Sequence, residues 1–266
     1  MTRETIATAA DGTEVRAYDE GQGPVILLVH PGLDDGTRTE KLAALLSDRY
    51  RVLRLQRRQY RFAEPCTMAD EVQDVLALAA EAGGPVLVYG HSSGAVVTLE
   101  ALVARPEAFA GAVLYEPPTV VDRPFPPESV AKAKAAIARG RPGRAIRIFV
   151  RDVVGLPAWQ GLLVGLAVGL SPRFRRLAPR QLHDLDAIIA LGVRLDEYAK
   201  ITVRTVLLGG DKSPTHLLDR LDALRNVIDQ AERVQLPGRD HGADVAAPAE
   251  VAQVIATLAD RVFTSA

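Results

Sequence analysis

The pentapeptide Gly90-His91-Ser92-Ser93-Gly94 sets a serine between two glycines in the pattern G-x-S-x-G. A serine hydroxyl is a poor nucleophile at neutral pH; it needs a base beside it and donors aimed at the developing oxyanion. The flanks supply the frame such a serine requires. Residues 85–89 are a short apolar, β-favouring run, and residues 95–104 carry apolar side chains at helical spacing. A strand turning sharply into a helix strains its central residue and lifts the hydroxyl clear of the sheet. Gly90 and Gly94 fit because a side chain at either would meet the neighbouring strand and helix.

Five histidines could supply the base: His30, His91, His183, His216 and His241. His241 lies in the turn-rich stretch Leu236-Pro237-Gly238-Arg239-Asp240-His241-Gly242, after the last strand pattern and before a C-terminal helical one. A loop beyond a strand's end can reach the serine, so His241 is the candidate base. His183 and His216 fall on helical patterns, His91 reads as local packing, and His30 reads as a brace for its own loop. The single cysteine, Cys66, excludes an intrachain disulfide and has no histidine near it in sequence. No His-Glu-x-x-His or cysteine cluster points to a metal, and Gly21-Gln22-Gly23 is too short for a nucleotide loop, so no cofactor is expected.

Strands and helices alternate around these residues. Strand patterns fall at 14–18, 25–29, 50–55, 86–89, 112–115, 203–208 and 233–236; helical patterns fall at 40–47, 68–82, 95–104, 216–228 and 249–258. The central strands are continuous apolar runs, as a parallel sheet covered on both faces requires. The expectation is an α/β fold with a doubly wound, mostly parallel sheet. The alternation breaks once, from 117 to 202, where only helical segments appear; Pro117, Pro118, Pro124, Pro126 and Pro127 mark the exit from the sheet. Roughly 85 residues exceed a loop. They read as a helical cap (117–202) inserted between two core segments, 1–116 and 203–266, over the carboxyl ends of the strands.

With 48% hydrophobic and 24% charged residues over 266 positions, the chain has the composition of a globular protein. A net charge of −1 favours neither nucleic acid nor an anionic membrane as partner. Basic runs such as 173–176 are expected to be solvated surface. Residues 1–12 lack an apolar signal core, and with one cysteine this suits the cytoplasm. Residues 153–170 are uncharged, but Pro157 and Gln160 interrupt them and they fall short of the ~20 residues of a membrane span. They read as a pocket-lining helix, with Trp159 and Leu163 facing the substrate. Gly161, Gly165 and Gly169 at four-residue spacing would let a second helix approach closely, from the insertion or from the partner in a homodimer.

Taken together, the chain resembles the α/β-hydrolase superfamily with a helical cap: the His30-Pro31-Gly32 strand end, the elbow at Ser92, the insertion, Gly210-Asp211-Lys212-Ser213-Pro214 and the late His241 all match in order. The resemblance puts Ser92 on the family's nucleophile and His241 on its base. It implies an oxyanion hole from the amides of Ser93 and Gly32, with Leu33 as fallback, since Pro31 stands where a glycine is common and has no N–H. The family's usual acid position holds Ser213, so two carboxylates stay open: Glu116, at the end of the strand after the nucleophile, where some members carry a glutamate, and Asp211. The implied activity is hydrolysis of a carboxylic ester, thioester or lactone of a hydrophobic small molecule through an acyl-serine. C–C bond hydrolysis, cofactor-free perhydrolysis, or ligand binding with little hydrolysis are the alternatives. Epoxide hydrolases and haloalkane dehalogenases share the cap but carry an aspartate at the elbow, which Ser92 argues against.

Overall fold

The computed structural model describes residues 3–122 and 125–264; Pro124, among the prolines expected at the exit from the sheet, lies outside them. Eight strands, β1 (Arg3–Thr8), β2 (Glu14–Glu20), β3 (Val25–Val29), β4 (Arg51–Leu55), β5 (Val86–His91), β6 (Phe109–Tyr115), β7 (Thr205–Gly210) and β8 (Ala231–Leu236), form one sheet in the order β1-β2-β4-β3-β5-β6-β7-β8. β1 and β2 are antiparallel additions at one edge, and every pairing from β4 to β8 is parallel. The helices are α1 (Glu40–Leu46), α2 (Arg58–Arg61), α3 (Met68–Glu81), α4 (Ser93–Ala104), α5 (Pro127–Ala138), α6 (Pro142–Ile148), α7 (Ala158–Leu170), α8 (Pro172–Leu191), α9 (Leu195–Tyr198), α10 (Thr215–Val227), α11 (Ala243–Ala246) and α12 (Pro248–Phe263).

The continuous apolar strands are explained by burial on both faces. In β3, Val25, Leu27 and Val29 join the core under α3 and α4, while Ile26 and Leu28 join the core under α1 and α12. Helix α12 shows the complementary pattern: Val251, Ile255, Leu258 and Ala259 recur at helical spacing and are buried. The sequence reading missed β1, α2 and α11. In β1 only Ala7 is buried, so the strand has almost no apolar alternation, and the two helices are four residues each, too short to show a period.

Between β6 and β7 the chain makes α5 to α9, with residues 149–153 as a π-helical turn. Helix α8 turns one face inward, Leu177, Ala178, Gln181, Asp184, Leu185 and Ile188. Helix α7 packs on α6 by backbone contact: a Cβ on Gly165 would lie 2.7 Å from the Gly143 carbonyl oxygen, and one on Gly143 would lie 2.4 Å from that of Gly165. The expected close approach of the Gly161/Gly165 face is therefore made within the insertion. Among the described residues no helix is long and apolar enough to cross a membrane.

Candidate active site

Gly32, Ser92, Ser93, Glu116, Asp211 and His241 follow the carboxyl ends of β3, β5, β6, β7 and β8. Among the described residues, three non-glycine residues have left-handed backbone: Leu33 (φ 56°), Ser92 (φ 52°) and Glu116 (φ 45°). Each follows one of three neighbouring strands, β3, β5 and β6. Such conformations cost about 1–3 kcal/mol each and persist where surrounding structure enforces them.

Ser92 forms the elbow between β5 and α4. Its amide donates to the Tyr115 carbonyl oxygen at 2.8 Å, and its hydroxyl makes no cap hydrogen bond to the helix that follows. Both glycines of the pentapeptide are sterically required. A Cβ on Gly94 would lie 2.4 Å from the carbonyl oxygens of Val29 and His30, and one on Gly90 would lie 2.7 Å from the Ala95 Cα. Ser93 begins α4, so its amide has no acceptor within the helix and is free to face a ligand.

Glu116 is fully buried, and its carboxylate is saturated. Oε2 accepts from Nδ1 of His241 at 2.5 Å; Oε1 accepts from the Ser213 hydroxyl at 2.5 Å and the Gly210 amide at 2.8 Å. Burial pushes its pKa up, but the bond and charge of His241, helped by Ser213 and Gly210, more than offset this, and the net shift is downward. The glutamate is thus ionised at neutral pH. Asp211, the other open carboxylate, instead accepts from the Gly238 amide at 2.7 Å on the exposed side of the turn. The His241 loop is pinned from β6: the Tyr115 hydroxyl donates to the Asp240 carbonyl and accepts from the Ala243 amide.

His91 is buried, stacks on Tyr115 at 4.5 Å and meets the edge of His241 at 4.8 Å. Burial lowers its pKa despite Asp244 3.2 Å away, so it packs as a neutral ring. His30 braces its loop as expected. Its Nδ1 donates to the Pro31 carbonyl at 2.8 Å, its Nε2 accepts from the Arg57 amide at 3.3 Å, and burial keeps it neutral. Gly32 faces Gln181 of α8 so closely that a Cβ there would lie 2.0 Å from Oε1 of that side chain.

A narrow cavity of about 30 Å³, room for one or two waters, opens beside Ser92 and His241. Ser93, Gln181 and His216 add polar groups, and the remaining lining is apolar, including Phe125, Phe149, Leu185 and Ile188. Trp159 and Leu163, expected to line it, do not: they are 61% and 56% exposed on the outer side of α7. The reason is the glycine contact with α6, which seats α7 by its smallest face and turns the bulky one to solvent.

Sequence reasoning missed a buried ionic cluster under the elbow. Arg57, fully buried, donates to Glu71 of α3 at 2.5 Å, Asp184 of α8 at 2.8 Å, the Ser93 hydroxyl at 2.8 Å and the His30 carbonyl at 3.2 Å. One guanidinium thereby ties the inserted helices to the elbow and to the His30 loop. Tyr60 completes the link by donating to Asp184 at 2.7 Å. Its only signal in sequence was a pair of adjacent arginines after a strand, which reads as surface. Gln181 and His216 were likewise hidden on helical patterns. His216 Nε2 donates to the Val154 carbonyl at 2.7 Å, while Nδ1 accepts from Arg220 at 2.8 Å.

Comparison with known proteins bears on the family and the fold. A family model described as the alpha/beta hydrolase family matches residues 26–254. An alpha/beta hydrolase from Sphaerobacter thermophilus DSM 20745 superposes with a TM-score of 0.80 at 26% identity, covering 96% of this chain and 99% of its own. A thermophilic esterase from Thermogutta terrifontis superposes with a TM-score of 0.76 at 20% identity, covering 98% and 99%; at that identity the likeness speaks for the fold. The uncharacterized hydrolase YraK of Bacillus subtilis (strain 168) is 30% identical over 115 residues, 40% of this chain and 42% of that relative's length.

Proposed function

The chain belongs to the alpha/beta hydrolase family, and on that premise we propose that it is a serine hydrolase cleaving a carboxylic ester, thioester or lactone of a hydrophobic small molecule. The observation that carries this reading is the 2.5 Å contact of His241 Nδ1 with the ionised Glu116. A carboxylate there holds the proton on Nδ1, leaving Nε2 as the basic atom, and stabilises the imidazolium that forms when Nε2 takes a proton. In this reading Nε2 of His241 deprotonates Ser92, whose oxygen attacks the substrate carbonyl carbon. The tetrahedral oxyanion is held by the amides of Ser93 and Gly32. The imidazolium protonates the departing alcohol or thiol, leaving an acyl-serine. Water, deprotonated by the same histidine, then releases the acid and restores the serine. The apolar lining supports a hydrophobic substrate, and the cap role of the insertion rests on Phe125, residues 149–154 and α8 lining the cavity opposite Ser92 and His241.

The test is covalent labelling of the full chain with a fluorophosphonate probe, followed by mass mapping and a panel of p-nitrophenyl esters set against β-diketones. Labelling at Ser92, its loss in Ser92→Ala and turnover of esters are expected. A folded protein that resists the probe would favour a ligand-binding role, and turnover of diketones alone would favour C–C bond hydrolysis.

A further inference from the structure

The inserted helices segregate charge in a way the whole-chain value conceals. Residues 127–176 hold ten lysines and arginines against two acidic residues, in a chain whose net charge is −1. Lys132, Lys134, Arg151 and Arg173 pair with Glu128, Asp186, Asp152 and Asp35. Among the described residues no carboxylate pairs with Arg139, Arg141, Arg144 or Arg147. These four line one wall of a broad groove whose other wall is Leu162, Leu166 and Leu170 of α7. Trp159 and Leu163 continue that stripe, so positions 159, 162, 163, 166 and 170 form one helical face; Leu170 is 83% exposed and Trp159 61%. A ridge of large apolar side chains beside unpaired arginines is costly to leave in water and marks an interaction face.

We propose that this face docks the protein on an anionic lipid surface, with α7 lying in the interface and the arginines at the headgroup phosphates. Three observations favour this occupant. The charge is of one sign and complementary to anionic headgroups, each such arginine adding about a factor of five to partitioning. A second copy packed face to face on this groove would put two arginine rows of like charge into one interface, which opposes an isologous dimer. Helix α7 has 13 residues, too short to span, yet its bulky aliphatic face suits burial at the depth of the acyl–headgroup boundary. The expectation of no membrane partner rested on whole-chain net charge and on the interrupted run at 153–170, and neither takes account of local charge segregation.

Trp159 is the chain's single tryptophan, so its emission reads the face directly. The experiment mixes the full chain with vesicles of phosphatidylcholine alone or with added phosphatidylglycerol, following sedimentation and tryptophan emission. Expected are co-sedimentation and a blue shift with the anionic vesicles only, reversed by about 0.5 M salt. The exposed-surface variant Arg144→Glu/Arg147→Glu should lower partitioning at least about tenfold, and Leu166→Ser/Leu170→Ser should abolish the shift. Absence of binding to anionic vesicles at low salt overturns the proposal, as does equal binding to neutral ones. Emission already blue-shifted in a free protein of dimeric mass overturns it too, assigning the face to a second copy. Ser92→Ala should bind vesicles like the parent, so failure of the hydrolase reading would leave this result standing.

Discussion

Ser213 donates its hydroxyl to Oε1 of Glu116 at 2.5 Å, while Oε2 of the same carboxylate holds His241 at 2.5 Å. The residue at the end of β7, where the resemblance places a carboxylate, thus serves a carboxylate at the end of β6. The exchange works because β6 and β7 are adjacent parallel strands, with Tyr115 opposite Leu208, so both strand ends face the same loop. The Glu116 amide donating to the Leu208 carbonyl at 3.1 Å fixes that alignment.

The assignment of Glu116 predicts an unequal ranking of three variants. Glu116→Gln should lower kcat by about 10³–10⁴-fold, as loss of the orienting carboxylate does in related triads. Ser213→Ala, which removes one hydrogen bond to a charged group, should cost about tenfold. Asp211→Asn should stay within about twofold, because its carboxylate is spent on Gly238. Initial rates on a p-nitrophenyl ester decide the order, and a larger loss at Asp211 than at Glu116 would reassign the acid.

Acid should probe the same pairing. The folded-state pKa of Glu116 lies below its ordinary value of 4.5, so the stability it contributes is fully present above that value. It drains as pH falls from there through the folded-state pKa. Tm measured from about pH 7 to about pH 3 should therefore fall more steeply below 4.5 in the parent than in Glu116→Gln. Parallel curves would mean that the carboxylate is not held ionised by its partners.

Arg57 offers a test of the buried cluster. Arg57→Met leaves Glu71 and Asp184 buried without their cation and should cost about 3–5 kcal/mol in urea unfolding. Adding Glu71→Gln and Asp184→Asn removes the stranded charges and should recover part of the loss. No recovery in the triple variant would show that packing, rather than charge, dominates.

Two glycines should respond in opposite directions to alanine. At Gly94 the new Cβ meets two backbone oxygens at 2.4 Å, which no rotamer can relieve, so Gly94→Ala should cost at least about 1–3 kcal/mol. At Gly169, helical and with open space around it, alanine should add about 0.5–1 kcal/mol. Thermal unfolding of both variants checks the contrast.

The cavity's size makes a final prediction about substrate. Short acyl esters should be turned over with higher kcat/KM than long ones, because anything larger than a few atoms must displace Phe125, Phe149 or Ile188. A graded p-nitrophenyl series from acetate to decanoate reads this directly. A rise with chain length would mean that α5 to α8 open readily.

Much of the frame was legible in one dimension because its causes are local. The elbow at Ser92 needs small residues at fixed offsets, and a strand buried on both faces must be apolar throughout, so both leave marks in neighbouring residues. The helical composition of the insertion was legible for the same reason. What only the tertiary structure decided depends on which surfaces meet. Two carboxylates satisfied chain order between Ser92 and His241, and the adjacency of β6 and β7 brings Glu116 rather than Asp211 against the imidazole. Apolar periodicity marked α7 as having bulky faces but could not say which face would be covered. The backbone contact of Gly143 with Gly165 turned Trp159 and Leu163 outward, because two helices that touch through glycine leave no room between them for anything larger.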